Sequence, residues 1–262
     1  MDTNALYEKI REENRRLHAA EAGRYEAIHP EGFNWFEQGR ILRELRLIRS
    51  RVVRPGLALD VGCGTGNILR KLLDLGFDAR GVDISEEMIA VLRAREHGRL
   101  AAGSLLVEDI DGFLAHCALE FDLVTASSVL HHFPDYPATL GAMCRRVKPG
   151  GWLYITHEPL AGALGPDPFP RKLLWQVDHL CFLLAGGGRK RPGHGLSYQF
   201  SDYHLYHGFD EQKVLETLRR SGMRIAGFNR YASTMRLGVS CWLDSAVLGS
   251  RRQFSVIAQK GS

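Results

Sequence analysis

Nowhere in the 262 residues do enough apolar side chains run together for a helix to cross a bilayer, which takes about 18. The longest apolar stretch, around His179 to Gly188, reaches roughly half of that. The opening Met1-Asp2-Thr3-Asn4 brings an acid at once and no apolar run behind it, which argues against a signal peptide. Cysteine is sparse and scattered, at 63, 117, 144, 181 and 241, with no Cys-x-x-Cys pair. That excludes a zinc knuckle or a redox dithiol and suits reduced thiols in the cytoplasm. Internal repeats and low-complexity segments are missing as well. So is a strong charge of one sign. With 34 basic and 30 acidic residues the net charge is +4, short of the concentrated basic face of a nucleic-acid binder. One cluster stands out: Arg40, Arg43, Arg46 and Arg49, then Arg51 and Arg54, opposite Ile41, Leu45 and Ile48 on a helix. It reads as a solvated helix face or as a stripe facing phosphates.

What is present is enough apolar material, 45% of residues, to fill the core of one large α/β unit. Residues 1–50 read as helical, interrupted between Gly23 and Asn34 by His29-Pro30 and Gly32. From Leu57 short apolar runs take over, at Leu57–Val61, Ala79–Val82, Leu105–Val107, Phe121–Thr125 and Trp152–Thr156, alternating with helical segments. That alternation implies parallel βαβ units and a doubly wound sheet. Ser85 is placed to cap one helix, and Asp135 with Pro137 opens another. The turn Lys148-Pro149-Gly150-Gly151 needs φ > 0 at Gly150. After Glu158 the alternation lapses. Residues 159–207 read as an insertion over the mouth of the sheet, with one amphipathic helix through Leu173, Val177, Leu180, Cys181 and Leu184. A helix at Asp210–Arg220 and strands at Met223–Phe228 and Phe254–Gln259 then complete the fold over 208–262.

The strongest signal is Leu59-Asp60-Val61-Gly62-Cys63-Gly64-Thr65-Gly66-Asn67, where an apolar strand enters a loop with glycine at every second position and a helix follows. Such glycines let a ligand approach the backbone, and the helix start offers unpaired N–H donors. The third glycine sits one residue earlier than in the dinucleotide pattern Gly-x-Gly-x-x-Gly. Asp83 ends the next strand, 23 residues after Asp60, where an acid can accept both hydroxyls of a ribose. With these motifs the chain resembles the class I S-adenosylmethionine-dependent methyltransferases. Further matches are Gly81-Val82-Asp83-Ile84-Ser85, Glu108-Asp109-Ile110, Phe121-Asp122-Leu123-Val124 through Leu130-His131-His132-Phe133, and Val147-Lys148-Pro149-Gly150-Gly151. The resemblance covers 57 to about 158 and implies a Rossmann-like, mostly parallel seven-stranded sheet, with S-adenosylmethionine bound within 51–158. It implies that Gly62, Gly64 and Gly66 approach the methionine part, with Cys63, Thr65 and Asn67 in the same loop. Asp83 would take the ribose, Ile84 and Met88 flank adenine, and Asp109 meet its amino group within the loop of Glu108 and Ile110. Ser127 would meet the methionine amino group through backbone. Asp60 either touches ligand or holds the glycine loop. Cys63 is read as a small residue with no histidine partner near in sequence, not as a catalytic thiol.

Three histidines follow strand ends, where ligands of parallel sheets bind: His131, His132 and His157. A histidine there can take the proton of an attacking hydroxyl. His157 is the candidate base, and His132 is either structural or a second candidate. Tyr25, Trp35, His131, Glu158, Tyr203 and His204 are expected as acceptor walls. The run from Ser201 to His207, with His194, carries no metal-binding spacing, so no metal is expected. The function expected is methyl transfer to a small molecule, at a hydroxyl oxygen, without nucleic acid or membrane, and with a homodimer left open. An RNA or protein methyltransferase and a non-catalytic cofactor-binding module are the alternatives. Against base N-methylation, Ala126-Ser127-Ser128-Val129 stands where an Asn-Pro-Pro-Tyr-like motif would be.

Overall fold

The apolar runs end up side by side in one sheet, as their alternation with helices requires. The computed structural model describes residues 3–53, 55–160, 167–185, 204, 209–232 and 235–261. Strands β1 (Gly56–Val61), β2 (Phe77–Asp83), β3 (Leu105–Val107), β4 (Phe121–Ser127) and β5 (Val147–Pro159) pair in parallel, in the order β3-β2-β1-β4-β5. Beyond β5, β7 (Gln253–Lys260) runs antiparallel between β5 and β6 (Met223–Tyr231). The strand order reverses between β1 and β4, and a crevice opens there at the carboxyl ends.

Eleven α-helices are described: α1 (Thr3–Glu21), α2 (Tyr25–Ile28), α3 (Pro30–Phe33), α4 (Trp35–Arg49), α5 (Leu69–Asp74), α6 (Glu86–Arg95), α7 (Ile110–His116), α8 (Tyr136–Arg145), α9 (Phe169–Leu184), α10 (Glu211–Arg220) and α11 (Gly238–Ala246). Neighbouring strand residues feed opposite layers. Leu59 and Val61 pack with Phe113, Leu140, Met143 and Leu218 on one face. Ala58, Leu123 and Tyr154 pack with Ile41, Leu45, Ile48, Leu69 and Ile89 on the other. Local signals hold: Ser85 Oγ accepts the N–H of Met88 at 3.2 Å, and Asp135 that of Ala138 at 3.1 Å. Gly150 has φ 74°.

Two expectations change. The arginines of α4 form no continuous stripe: Arg43, Arg46 and Arg51 are exposed, but Arg40 and Arg49 are buried. Arg49 donates to the carbonyls of Leu75 and Val52, and Arg40 enters a polar cluster described below. The helix of the insertion, α9, also sits elsewhere than expected. It packs on α11, which packs on α4. Arg171 of α9 pairs with buried Asp244 at 3.1 Å, and Asp178 accepts the N–H groups of Arg236 and Leu237 at 2.9 Å each. Its amphipathic pattern marked a packing face, but not against which partner.

Candidate active site

The glycine loop rises from β1 at the switch point and is held from below by two carboxylates. Buried Asp60 accepts the hydroxyl of Thr125 at 2.7 Å and the N–H of Leu69 at 3.0 Å, tying the loop to β4 and to the start of α5. Burial pushes the Asp60 carboxyl up to about 7, against these two hydrogen bonds. Asp83 accepts the N–H of Gly64 at 2.8 Å on one oxygen and that of Ser85 at 2.9 Å on the other. Gly62, Gly64 and Gly66 all have positive φ, at 67°, 50° and 94°. A Cβ at Gly62 would fall on Val129, whereas nothing lies within 4 Å of one at Gly64.

Above the loop open two lobes, lined by residues from the carboxyl ends of the strands and from the N-terminal helices. They share Tyr25, Gly62, Gly64, Ser127 and Ser128, so they form one continuous cleft. The first lobe takes in Asp83, Ile84, Met88, Asp109, Ile110 and His132, and α1 covers it with Ile10, Arg11, Asn14 and His18. Arg11 reaches Asp109 at 2.9 Å, while the other oxygen of Asp109 caps α7 through the N–H of Gly112 at 3.0 Å. The His132 ring meets that of His18 edge-on, centroids 5.9 Å apart. Asp60, Cys63, Thr65, Asn67 and His157 line the second lobe, with His29 and Glu31 opposite. Asn67 is tied to α4 by Gln38, whose amide donates to it at 3.0 Å. His29 lies between Glu21, 3.0 Å from Nε2, and Glu31, 3.4 Å from Nδ1.

Several expected residues lie elsewhere. Trp35 is 65% exposed and covers Gly238 of α11, so it is no wall of the cleft. Glu158 is fully buried. It accepts the N–H groups of Val129, Leu130 and His131 at 2.8 to 3.2 Å, and the His131 ring lies 2.8 Å from it. This pair clasps the turn after β4 from behind and lines neither lobe. Glu108 lies near His116, at 3.4 Å, outside the cleft, and Gly66 is behind the loop against Leu92. His204 packs on Tyr136, its Nε2 3.2 Å from the carbonyl of Pro134, which borders the first lobe. Tyr203 falls outside the described residues. None of the described residues of 159–207 lines either lobe; the observed cover is the N-terminal helix. Among the described residues, no three His, Cys, Asp or Glu side chains are grouped to hold a metal ion.

Glu37 was not foreseen. Fully buried, it lies 3.1 Å from Nδ1 of His157, which leaves Nε2 of a cleft-lining imidazole without a partner among the described residues.

Comparison with known proteins agrees with this geometry. A family model described as methyltransferase domain matches residues 35–225. The ubiquinone biosynthesis O-methyltransferase of Thiobacillus denitrificans is 34% identical over 146 residues, 53% of this chain and 62% of that protein. The enzyme of the same name from Methylococcus capsulatus is 37% identical over 102 residues, 38% of this chain and 42% of that one. The chain thus spans less than two thirds of the length of these curated relatives. Among solved structures, a chain of the complex between the Haloferax volcanii Trm112 methyltransferase activator and a methyltransferase superposes with a TM-score of 0.58. It is 18% identical, over 94% of this chain and 98% of that one. Magnesium protoporphyrin IX methyltransferase from Synechocystis PCC 6803 gives 0.52 at 18% identity, over 86% and 83%. With the family model covering most of its length, the chain belongs to the class I S-adenosylmethionine-dependent methyltransferases.

Proposed function

We propose that this protein transfers a methyl group from S-adenosylmethionine to a hydroxyl oxygen of a small molecule. The site residues fit that cofactor. The open side of Gly64 admits a close backbone approach, and each Asp83 oxygen keeps a lone pair for a ribose hydroxyl. In the second lobe, buried Thr65 Oγ1 has no partner among the described residues and can hydrogen-bond the methionine terminus. Ile84, Met88 and Ile110 offer an apolar slot for the adenine in the first lobe. When bound, S-adenosylmethionine supplies an electrophilic methyl carbon whose bonding electrons return to sulfur as the acceptor takes it. The chain's part is to align the acceptor and to receive its proton.

The observation that carries the choice of oxygen is His157, with Nδ1 on a buried carboxylate and Nε2 toward the cleft. A base is useful where the acceptor still holds its proton at neutral pH, as a phenol does with its pKa near ~10. The names of the curated relatives, O-methyltransferases, support this reading. To test it, the purified protein is incubated with methyl-labelled S-adenosylmethionine and a panel of phenols, catechols, amines and transfer RNA. Label in an ether-type product, reduced ~10²- to 10⁴-fold in kcat by His157→Ala with cofactor affinity kept, is the expected result. Label confined to RNA or to amines would overturn it.

A further inference from the structure

Behind His157 lies a cluster of polar groups, most of them buried, drawn from α4, β5, β6 and β7. Glu37 accepts from Arg40 Nε at 3.1 Å and from a second nitrogen of the same guanidinium, and it faces Nδ1 of His157. Arg40 also donates to Glu44 at 2.6 Å, to Thr156 at 2.8 Å and to the hydroxyl of Tyr231 at 2.9 Å. Its guanidinium stacks on the Tyr231 ring, 3.7 Å from the centroid. Glu44 is held independently by Tyr154 at 2.6 Å, Asn229 at 2.8 Å and Ser255 at 2.9 Å. The Tyr231 hydroxyl also accepts the His157 N–H at 2.9 Å, at a residue whose φ is 59°.

Buried ion pairs are weak stabilisers, because desolvation takes back most of their attraction, so stability alone gives little reason for this cluster. Its composition suggests another use. Two carboxylates share one guanidinium, which leaves a negative charge next to the imidazole. Burial works against the charge on Glu37, but Arg40 and His157 outweigh it and hold the carboxyl at about 2. An ionised carboxylate only accepts hydrogen bonds, so the ring nitrogen it faces must carry a proton.

We infer that Glu37, clamped by Arg40, is a positioning residue that keeps His157 in the Nδ1–H tautomer and so presents Nε2 as the proton acceptor of the cleft. The inference rests on the reading of His157 as base and deepens it. In the reaction the acceptor's O–H bond breaks, its proton goes to Nε2, and the oxygen's electron pair forms the new O–CH₃ bond as the methyl's bond to sulfur breaks onto sulfur. The imidazolium so formed balances the spare negative charge of Glu37 and Glu44. Neither His131 nor His132 is placed this way: His131 faces Glu158 away from the cleft, and the His132 ring stands against His18.

The test needs no acceptor. Nitrogen-15 spectra of the histidine rings are recorded on the intact protein, with His157 assigned by its loss in His157→Ala. Above the pH of ring protonation, the wild type is expected to show a protonated Nδ1 and an unprotonated Nε2 at His157. Glu37→Gln gives one acceptor oxygen where three donors converge, so the pure Nδ1–H signature should be lost, and Glu37→Asp should restore part of it. A wild-type His157 protonated on Nε2 overturns the inference without any variant. So does an unchanged Nδ1–H signature in folded Glu37→Gln. Full turnover in His157→Ala would instead remove the base reading and leave the tautomer result standing.

Discussion

Ser128 and His157 sit at matching positions, each just past Ser127 and Thr156, the last pair between β4 and β5, and both adopt the left-handed backbone, with φ 58° and 59°. For side chains with a Cβ this conformation costs about 1 to 2 kcal/mol relative to ordinary geometry. Two such residues side by side, both lining the cleft, mark where the fold gives up stability to aim backbone and ring at a ligand.

Ser128→Gly should therefore leave folding stability unchanged or raise it by up to about 1 kcal/mol, whereas Ser128→Val should lower it by about 1 to 2 kcal/mol. Urea unfolding of both variants measures this. A clear loss in Ser128→Gly would mean that the hydroxyl, not the backbone, matters there.

The cofactor half of the cleft was legible because it is built from contiguous sequence. A strand, a glycine turn and the acid that ends the next strand are separated by fixed lengths, so Asp60, Gly62, Gly64 and Asp83 fall into place once β1 and β2 pair. The acceptor half joins distant segments. Glu37 and His157 are 120 residues apart, and no local pattern links them. One signal was available: Glu37, Arg40 and Glu44 recur at helical spacing beside Ile41, Leu45 and Ile48, placing charges at the edge of the apolar face. Read only as a row of arginines, that pattern hid its buried members. Trp35 failed as a site residue for a related reason. An aromatic side chain in the right segment says nothing about its direction, and this one lies over a glycine on α11.

Arg11 links the covering helix α1 to the adenine side of the cleft through Asp109. Its side chain is 30% exposed, which limits such a pair to about 1 kcal/mol. Arg11→Ala should thus speed cofactor release by up to about fivefold with little loss of fold stability. Stopped-flow displacement of bound S-adenosylhomocysteine reads the rate. No acceleration would show that α1 stays seated without this contact.

His29 supplies a pH dependence. Burial would lower its pKa, but the hydrogen bonds to Glu21 and Glu31 outweigh burial and raise it to about 9 from 6.5. Because the folded value lies above the unfolded one, the stabilisation is complete below about pH 6.5 and disappears as pH rises through 9. The amount is of the order of 3 kcal/mol. Thermal melts across pH 6 to 10 should show the wild type losing stability relative to His29→Gln over that window. Parallel curves for the two proteins would contradict the raised value.

Asp83 should govern cofactor affinity through the ribose. Asp83 is 6% exposed, lines the first lobe and holds the glycine loop through Gly64. Hydrogen bonds to a charged acceptor contribute roughly 1.5 to 3 kcal/mol each. Asp83→Ala should weaken S-adenosylmethionine binding at least ~10-fold, since 1.4 kcal/mol is one factor of ten. The loop contributes to that loss as well, because the variant also frees the N–H of Gly64. A cofactor analogue without one ribose hydroxyl separates the two causes. If Asp83 grips the ribose, the analogue should bind the wild type about tenfold more weakly than the intact cofactor, and Asp83→Ala should no longer distinguish them. Calorimetry on the four combinations gives the coupling directly, and a variant that still discriminates as the wild type does would leave Asp83 as a loop anchor only.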